Sequence, residues 1–173
     1  MPYLVAAVVL LGLLSILNLL LTIGAIRRLR DQPPRPAPQS HGSGPALDLT
    51  PGARPDAFTA TTTAGEQVSE ADVSGLVGFF SAGCAPCHTL APRFVERARE
   101  LGRDRVFAVV AGDDAELLAE LTPVARVVVE DYDGEVQAAF RNTWTPAVYL
   151  LGRDLRVVAA GSRMGDLPSE AHA

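Results

Sequence analysis

The chain has 173 residues, 48% of them hydrophobic and 20% charged, with two cysteines and a formal net charge of −5. That length holds one ordinary domain plus an appendage; the composition excludes a disulfide-stapled secreted scaffold, a disordered chain and a basic nucleic-acid binder. The average hides a division, because residues 1–26 hold 20 of the 83 hydrophobic residues and no Asp, Glu, Lys, Arg or His, whereas residues 52–173 carry 11 Arg against 18 Asp and Glu.

From Tyr3 to Ile26 only Gly12, Ser15, Asn18, Thr22 and Gly24 interrupt the aliphatic run. Roughly 24 helical residues extend about 36 Å, enough to cross a bilayer. No basic residue precedes the run, and neither a small-x-small cleavage site nor a lipid-accepting Cys follows it, so it reads as an uncleaved transmembrane anchor rather than a signal peptide. Arg27, Arg28 and Arg30 flank its C-terminal end, and that charge favours a cytoplasmic domain. Residues 1–30 are thus expected to be anchor and basic flank, residues 31–51 a Pro/Gly-rich linker, and residues 52–173 the folded domain. Seven of the thirteen prolines fall between residues 31 and 55, a composition that keeps backbone extended and unpacked. His41 in this stretch reads as a solvated residue.

Beyond the linker, buried-type apolar runs alternate with helical patterns. Residues 61–68 read as a strand with a turn at Gly65, and residues 76–81 as a short buried strand. Residues 86–101 place Cys87, Leu90, Phe94, Val95, Ala98 and Leu101 at helical spacing. A strand at 106–111 follows, then a helix capped by Asp113 or Asp114 and running to Leu121 before Pro123. Strands are expected at 126–130, 147–151 and 155–160, with a short helix at 134–141. Such alternation, finished by a hairpin, predicts an α/β fold with a mixed central sheet flanked by helices.

Both cysteines lie in one Cys84-Ala85-Pro86-Cys87 motif, between a buried strand and the start of an amphipathic helix. A thiolate attacks disulfides, and free N–H groups at a helix N-terminus stabilise that anion. Cys84 is therefore the candidate nucleophile and Cys87, one turn along, the candidate resolving thiol. A zinc site lacks further ligands, because the histidines are the adjacent His88, His41 in the linker and His172 at the tail. No metal and no cofactor are expected. His88 is either a cation that favours the thiolate or a solvated first-turn side chain. The acidic run Glu130–Glu135 lacks the spacing of a calcium loop and reads as solvated.

A Trp144-Thr145-Pro146 sequence precedes the strand at 147–151. The strand–CxxC–helix unit with this Thr-Pro partner resembles the thioredoxin-like fold, which implies that Pro146 is cis and that Thr145 and Pro146 receive an extended substrate segment. Residues 52–58 with 61–66 are similar to the N-terminal hairpin of redoxins. The sequence Phe79-Phe80-Ser81-Ala82-Gly83-Cys84-Ala85-Pro86-Cys87 after a membrane span resembles the TlpA-like membrane-anchored thiol-disulfide oxidoreductases, closest to the methylamine-dehydrogenase maturation branch. That resemblance implies protein thiols and disulfides as partners, together with an unidentified redox donor, and an extracytoplasmic domain, opposite to the side favoured by the Arg flank. No nucleic acid is implied.

The departures from thioredoxin are specific. Gly83 stands where thioredoxin carries Trp, and Gly78 stands where it has a buried acid serving the resolving thiol. No Lys occurs anywhere, so the neighbouring buried Lys is missing too. The last helix is expected to be short or absent. Two other functions fit these residues less well. A peroxiredoxin-like peroxidase would use Ser81 three residues before Cys84 but has Val77 where its loop needs Pro; a binding module without turnover would have no use for intact cysteines.

Overall fold

A computed structural model describes residues 12, 14–15, 47 and 49–168. The chain divides into two units, Met1–Gln39 and Ser40–Ala173. In the first, Gly12, Leu14 and Ser15 are helical; the rest of the expected membrane span, its Arg flank and nearly all of the linker lie outside the described residues. Among the described residues, no helix is long and apolar enough to cross a membrane.

The second unit opens with a hairpin of β1 (Thr59–Thr61) and β2 (Gln67–Ser69), paired antiparallel with Ala60 opposite Val68. Gly65 takes a φ of +81° in the turn, a value that a residue with a Cβ rarely adopts. The strand expected over 61–68 is therefore two three-residue strands joined by a turn.

Five strands form the central sheet: β3 (Gly75–Ser81), β4 (Val106–Ala111), β5 (Arg126–Glu130), β6 (Ala147–Leu151) and β7 (Val157–Gly161). Their order is β5-β4-β3-β6-β7. The β3/β4 and β4/β5 pairs are parallel, while β3/β6 and β6/β7 are antiparallel. Helix α1 (Ala85–Leu101) connects β3 to β4, α2 (Ala115–Leu121) connects β4 to β5, and α3 (Glu135–Ala139) precedes β6. After β7 the described chain carries a 3-10 turn at Met164–Asp166.

β3 and β4 are buried along their whole length, which is why they read as continuous apolar runs rather than as alternation. On one face of the sheet, Val77, Phe79, Phe107 and Tyr149 pack with Phe58 and Phe140. Phe79, Phe140 and Tyr149 form a ring cluster with centroids 5.1–5.7 Å apart. On the other face, Leu76, Phe80, Val106 and Ala108 pack against Leu90 and Phe94 of α1 and Leu117 of α2. The sheet is thus a two-sided core whose middle strand, β3, runs straight into the Cys-x-x-Cys loop.

Glu130 shows how a residue read as solvated acquires a task. Its carboxylate accepts the backbone N–H groups of Val136 (3.1 Å) and Gln137 (2.9 Å), satisfying donors at the start of α3. Burial raises its carboxyl above the ordinary value despite those two bonds. The acidic run is therefore partly a helix cap. Among the described residues, no cluster of His, Cys, Asp or Glu could hold a metal ion.

Candidate active site

β3 ends at Ser81, and three residues turn the chain into α1. Gly83, at φ +70°, supplies the left-handed conformation that this turn needs. Cys84 is the N-cap residue of α1, with extended backbone and its Sγ accepting the N–H of Cys87 at 3.2 Å. Pro86 sits in the first turn, where its missing N–H costs no helical bond. Further along, Pro92 has no N–H for the carbonyl of His88, which frees that carbonyl from the helix ladder.

Cys84 and Cys87 are joined in a disulfide with Cα atoms 5.2 Å apart. Cys87 is fully buried against the α1 side of the core, whereas Cys84 is partly exposed. One sulfur is thus reachable from solvent and the other is sealed behind it.

The Thr145–Pro146 peptide bond is cis. Ala147 pairs with Phe79, so Pro146 lies one residue past the register, beside the end of β3 that leads to the cysteines. The hydroxyls of Ser81 and Thr145 are hydrogen-bonded, tying the Thr-Pro turn to the strand that carries the motif. On the other side, Asn142 Nδ2 donates to the Trp144 carbonyl at 2.9 Å, and Tyr149 Oη donates to Asn142 Oδ1 at 3.3 Å. The turn is thus anchored from both ends. Ser81 is placed by this bond, a role that its spacing from Cys84 does not reveal.

His88 is two-thirds buried and paired. Its Nε2 lies 3.1 Å from Asp114 Oδ2 and its Nδ1 3.7 Å from Glu116 Oε2. Asp114 also caps α2, accepting the Leu117 N–H at 3.1 Å, and the Gly83 N–H faces it as well. One carboxylate therefore joins the residue before Cys84, the residue after Cys87 and the start of the next helix. Across the loop, Tyr132 Oη donates to the Ala82 carbonyl at 3.3 Å while its ring stays exposed.

The Leu117 N–H is the largest cause holding the Asp114 carboxyl below its ordinary 3.8; burial opposes it, and His88 and Gly83 add to the lowering. With the folded pKa below the unfolded one, the folded state gives up this proton more readily. The resulting stability is present above pH 3.8 and is lost as pH falls through the folded value. Asp114→Ala is expected to cost about 1–2 kcal/mol, the scale of a lost N-cap. Asp114→Asn keeps a capping oxygen, and its stability should fall less steeply than the parent's between pH 5 and 2. Urea titrations followed by the fluorescence of Trp144, the chain's sole Trp, check both; equal acid slopes would refute the assignment.

An open groove of about 680 Å³ lies beside the motif. It is lined by Ala85, Thr89 and Arg93 of α1, by Trp144, Thr145 and Pro146 of the turn before β6, and by Arg163 and Met164 of the turn after β7. The expected site residues Cys84, Cys87, Thr145 and Pro146 thus fall on one side of the molecule, around one loop and one groove. Arg93 and Arg163 escaped the sequence reading because nothing in the chain order links helix α1 to the turn after β7.

Strand order, the cis-proline turn and a disulfide at the start of the first long helix define a thioredoxin-like fold bearing a Cys-x-x-Cys disulfide, as the resemblance of the strand–Cys-x-x-Cys–helix unit and its Thr-Pro partner implies. Solved structures share it. The thioredoxin domain of a thiol-disulfide oxidoreductase from Bacteroides vulgatus is 22% identical, covering 69% of this chain and 94% of its own, with a TM-score of 0.55. A thio-disulfide isomerase from Thermus thermophilus is 21% identical over 66% of this chain and 87% of its own, with a TM-score of 0.54. A thiol:disulfide interchange protein from a Bacteroides species is 22% identical over 68% and 85%, with a TM-score of 0.52. No family model and no curated protein matches the chain.

Proposed function

We propose that this chain is a membrane-tethered thiol-disulfide oxidoreductase that exchanges its Cys84–Cys87 pair with protein partners. The observation that carries this reading is the disulfide itself, at the N-terminus of α1, with one sulfur accessible and one buried, beside a Thr145–cis-Pro146 turn. A static bridge over so short a loop would add little stability, about 2 kcal/mol on chain-entropy grounds.

Starting from the dithiol, the Cys84 thiolate attacks one sulfur of a partner disulfide, forming a mixed disulfide and expelling the partner's other sulfur as a thiolate. The Cys87 thiolate then attacks Cys84 Sγ, closing the intramolecular disulfide and releasing the second partner thiol. Two electrons pass to the partner, and the two protons of the dithiol end on its thiols. A donor of the dithiol-protein class resets the pair by the reverse sequence. Free N–H groups at the helix start favour the Cys84 anion at each step. Thr145 and Pro146 would hold an extended partner segment through the backbone edge of their turn.

Residues 1–26 support the tether, and the TlpA-like resemblance of residues 79–87 agrees with it. Equilibrating the full chain in glutathione buffers of stepped potential, with thiols alkylated and weighed, tests the core of the proposal. A single two-electron transition between dithiol and disulfide is expected; a pair that never exchanges would sink it. Labelling reduced Cys84 in intact cells with a membrane-impermeant thiol reagent separates the two orientations.

A further inference from the structure

We propose that the groove beside the disulfide selects partner segments carrying carboxylates three to four residues from the reacting cysteine, read by Arg93 and Arg163. The inference rests on the redox reading and names the chemistry of its substrate.

Ala85, Thr89 and Arg93 are spaced i, i+4, i+8 along α1, so they form one strip of the helix facing the groove. Arg93 therefore lies about 12 Å along the helix axis from Ala85, next to Cys84. An extended chain advances about 3.3 Å per residue, so that distance corresponds to three or four residues of a bound segment. Arg163 lines the same groove from a separate element, the turn after β7.

Both guanidinium groups are exposed and have no hydrogen bond or ion pair among the described residues. Four other arginines are engaged: Arg97 pairs with Glu100, Arg141 with Asp56 and Arg156 with Asp154, while Arg126 donates to the Asp72 carbonyl. Arg54, Arg99, Arg103, Arg105 and Arg153 have no such partner among the described residues, and what sets Arg93 and Arg163 apart from them is that both line the groove. Among the described residues, no carboxylate lines the groove. Asp166, the nearest acid in sequence to Arg163, directs its Oδ2 at the backbone N–H groups of Ser162 and Arg163, each at 3.0 Å.

The sign of this groove opposes that of its surroundings. Residues 52–173 carry 18 acids against 11 Arg, so the mean field of the domain repels an acidic partner and attracts a basic one. A local preference for acid is therefore distinguishable from a global one by its direction. Between the arginines, Leu90, Trp144, Pro146 and Met164 offer apolar surface for the intervening side chains. An acidic peptide with apolar residues next to its cysteine fits this arrangement.

The test uses the pre-reduced full chain and peptides bearing one cysteine in mixed disulfide with a chromogenic thiol, flanked three and four residues away by Glu, Gln or Lys. Each second-order rate is divided by that of dithiothreitol with the same peptide, which removes intrinsic reactivity. The Glu peptides are expected to react about tenfold faster than the Lys peptides, the scale of two exposed charge pairs. That ratio should shrink in 0.5 M salt and invert in Arg93→Glu/Arg163→Glu, where a misfolded variant would instead lose all rates together; circular dichroism identifies that case, and Arg93→Gln/Arg163→Gln then supplies the readout as a ratio at or below one. Equal rates, or a Lys preference in the parent chain, would overturn the inference while leaving the redox reading intact. Absence of reaction with every peptide would instead overturn the redox reading, and this inference with it.

Discussion

Cys84→Ser should abolish disulfide exchange, lowering its rate on the order of 10³-fold or more, whereas Cys87→Ala should still attack and then stall as a mixed disulfide. The difference follows from placement. Cys84 is the partly exposed N-cap sulfur and Cys87 is fully buried one turn behind it, so only the first can meet a partner and only the second can expel it. A serine hydroxyl in place of Sγ removes the thiolate nucleophile altogether, and loss of a covalent nucleophile acts on this scale. Both variants lose the same short cross-link, so any change in stability is shared and the contrast between them is chemical. The measurement is a non-reducing gel of full-chain Cys87→Ala after exposure to partner disulfides, with Cys84→Ser and the Cys84/Cys87 double variant alongside. Covalent adducts that form with Cys87→Ala, dissolve with dithiothreitol and are missing from the other two are the expected result. Adducts of equal yield in Cys84→Ser would reverse the roles, and none in any variant would remove the redox function.

Those two sulfurs were legible in the sequence because their chemistry is local: a Cys-x-x-Cys needs only the strand before it and the helix after it. The same locality explains the elements read most accurately. β4, β5 and β6 begin and end where their apolar runs do, because turn residues bound each run. β7 begins later than its apolar run suggests, since Leu155 takes a φ of +63° and belongs to the turn. Contacts between distant segments left no trace in the chain order. Of Asp113 and Asp114, which both read as candidate helix caps, Asp114 is the cap, yet its bond to His88 spans 26 residues and depends on α1 and α2 starting side by side at the same end of the sheet. The Ser81–Thr145 bond spans 64 residues, and Arg93 and Arg163 line one groove because the turn after β7 packs against α1. Periodicity describes how one segment faces the core, and it is silent about which two loops meet at the edge.

Gly78 draws its meaning from such a long-range contact, and enlarging it should be among the most damaging changes in the molecule. The resemblance to thioredoxin places a buried acid at this position, so Gly78→Asp would appear to restore a missing proton carrier for Cys87. The space is already filled. A Cβ on Gly78 would lie 2.6 Å from Phe94 Cε2 and 2.7 Å from Phe80 Cε2, ring atoms that are fully buried. Phe80 and Phe94 pack edge to face, with centroids 5.2 Å apart and planes at 84°. This pair is what the small residue accommodates. Overpacking by one methyl group costs about 1–3 kcal/mol, and an unpaired buried carboxylate adds several more, so Gly78→Asp should leave little of a typical 5–15 kcal/mol stability. Gly78→Ala isolates the steric part, and combining it with Phe94→Leu should recover some of that loss. Urea titrations of the four chains of this Ala/Leu cycle yield a coupling energy, expected at about 1 kcal/mol or more in the favourable direction. Strict additivity would mean that Phe94 does not set the size limit at Gly78. The chemical consequence is that Cys87 packs in an apolar cluster with residues such as Leu76, Phe80, Leu90 and Phe94, and no carboxyl stands at position 78. With Gly78 in the acid's place, protons lost and gained by the resolving thiol are exchanged with water or with an acid at another position, and the pH profile of mixed-disulfide release in the parent chain separates the two: an ionisation beyond those of the thiols is the mark of such an acid.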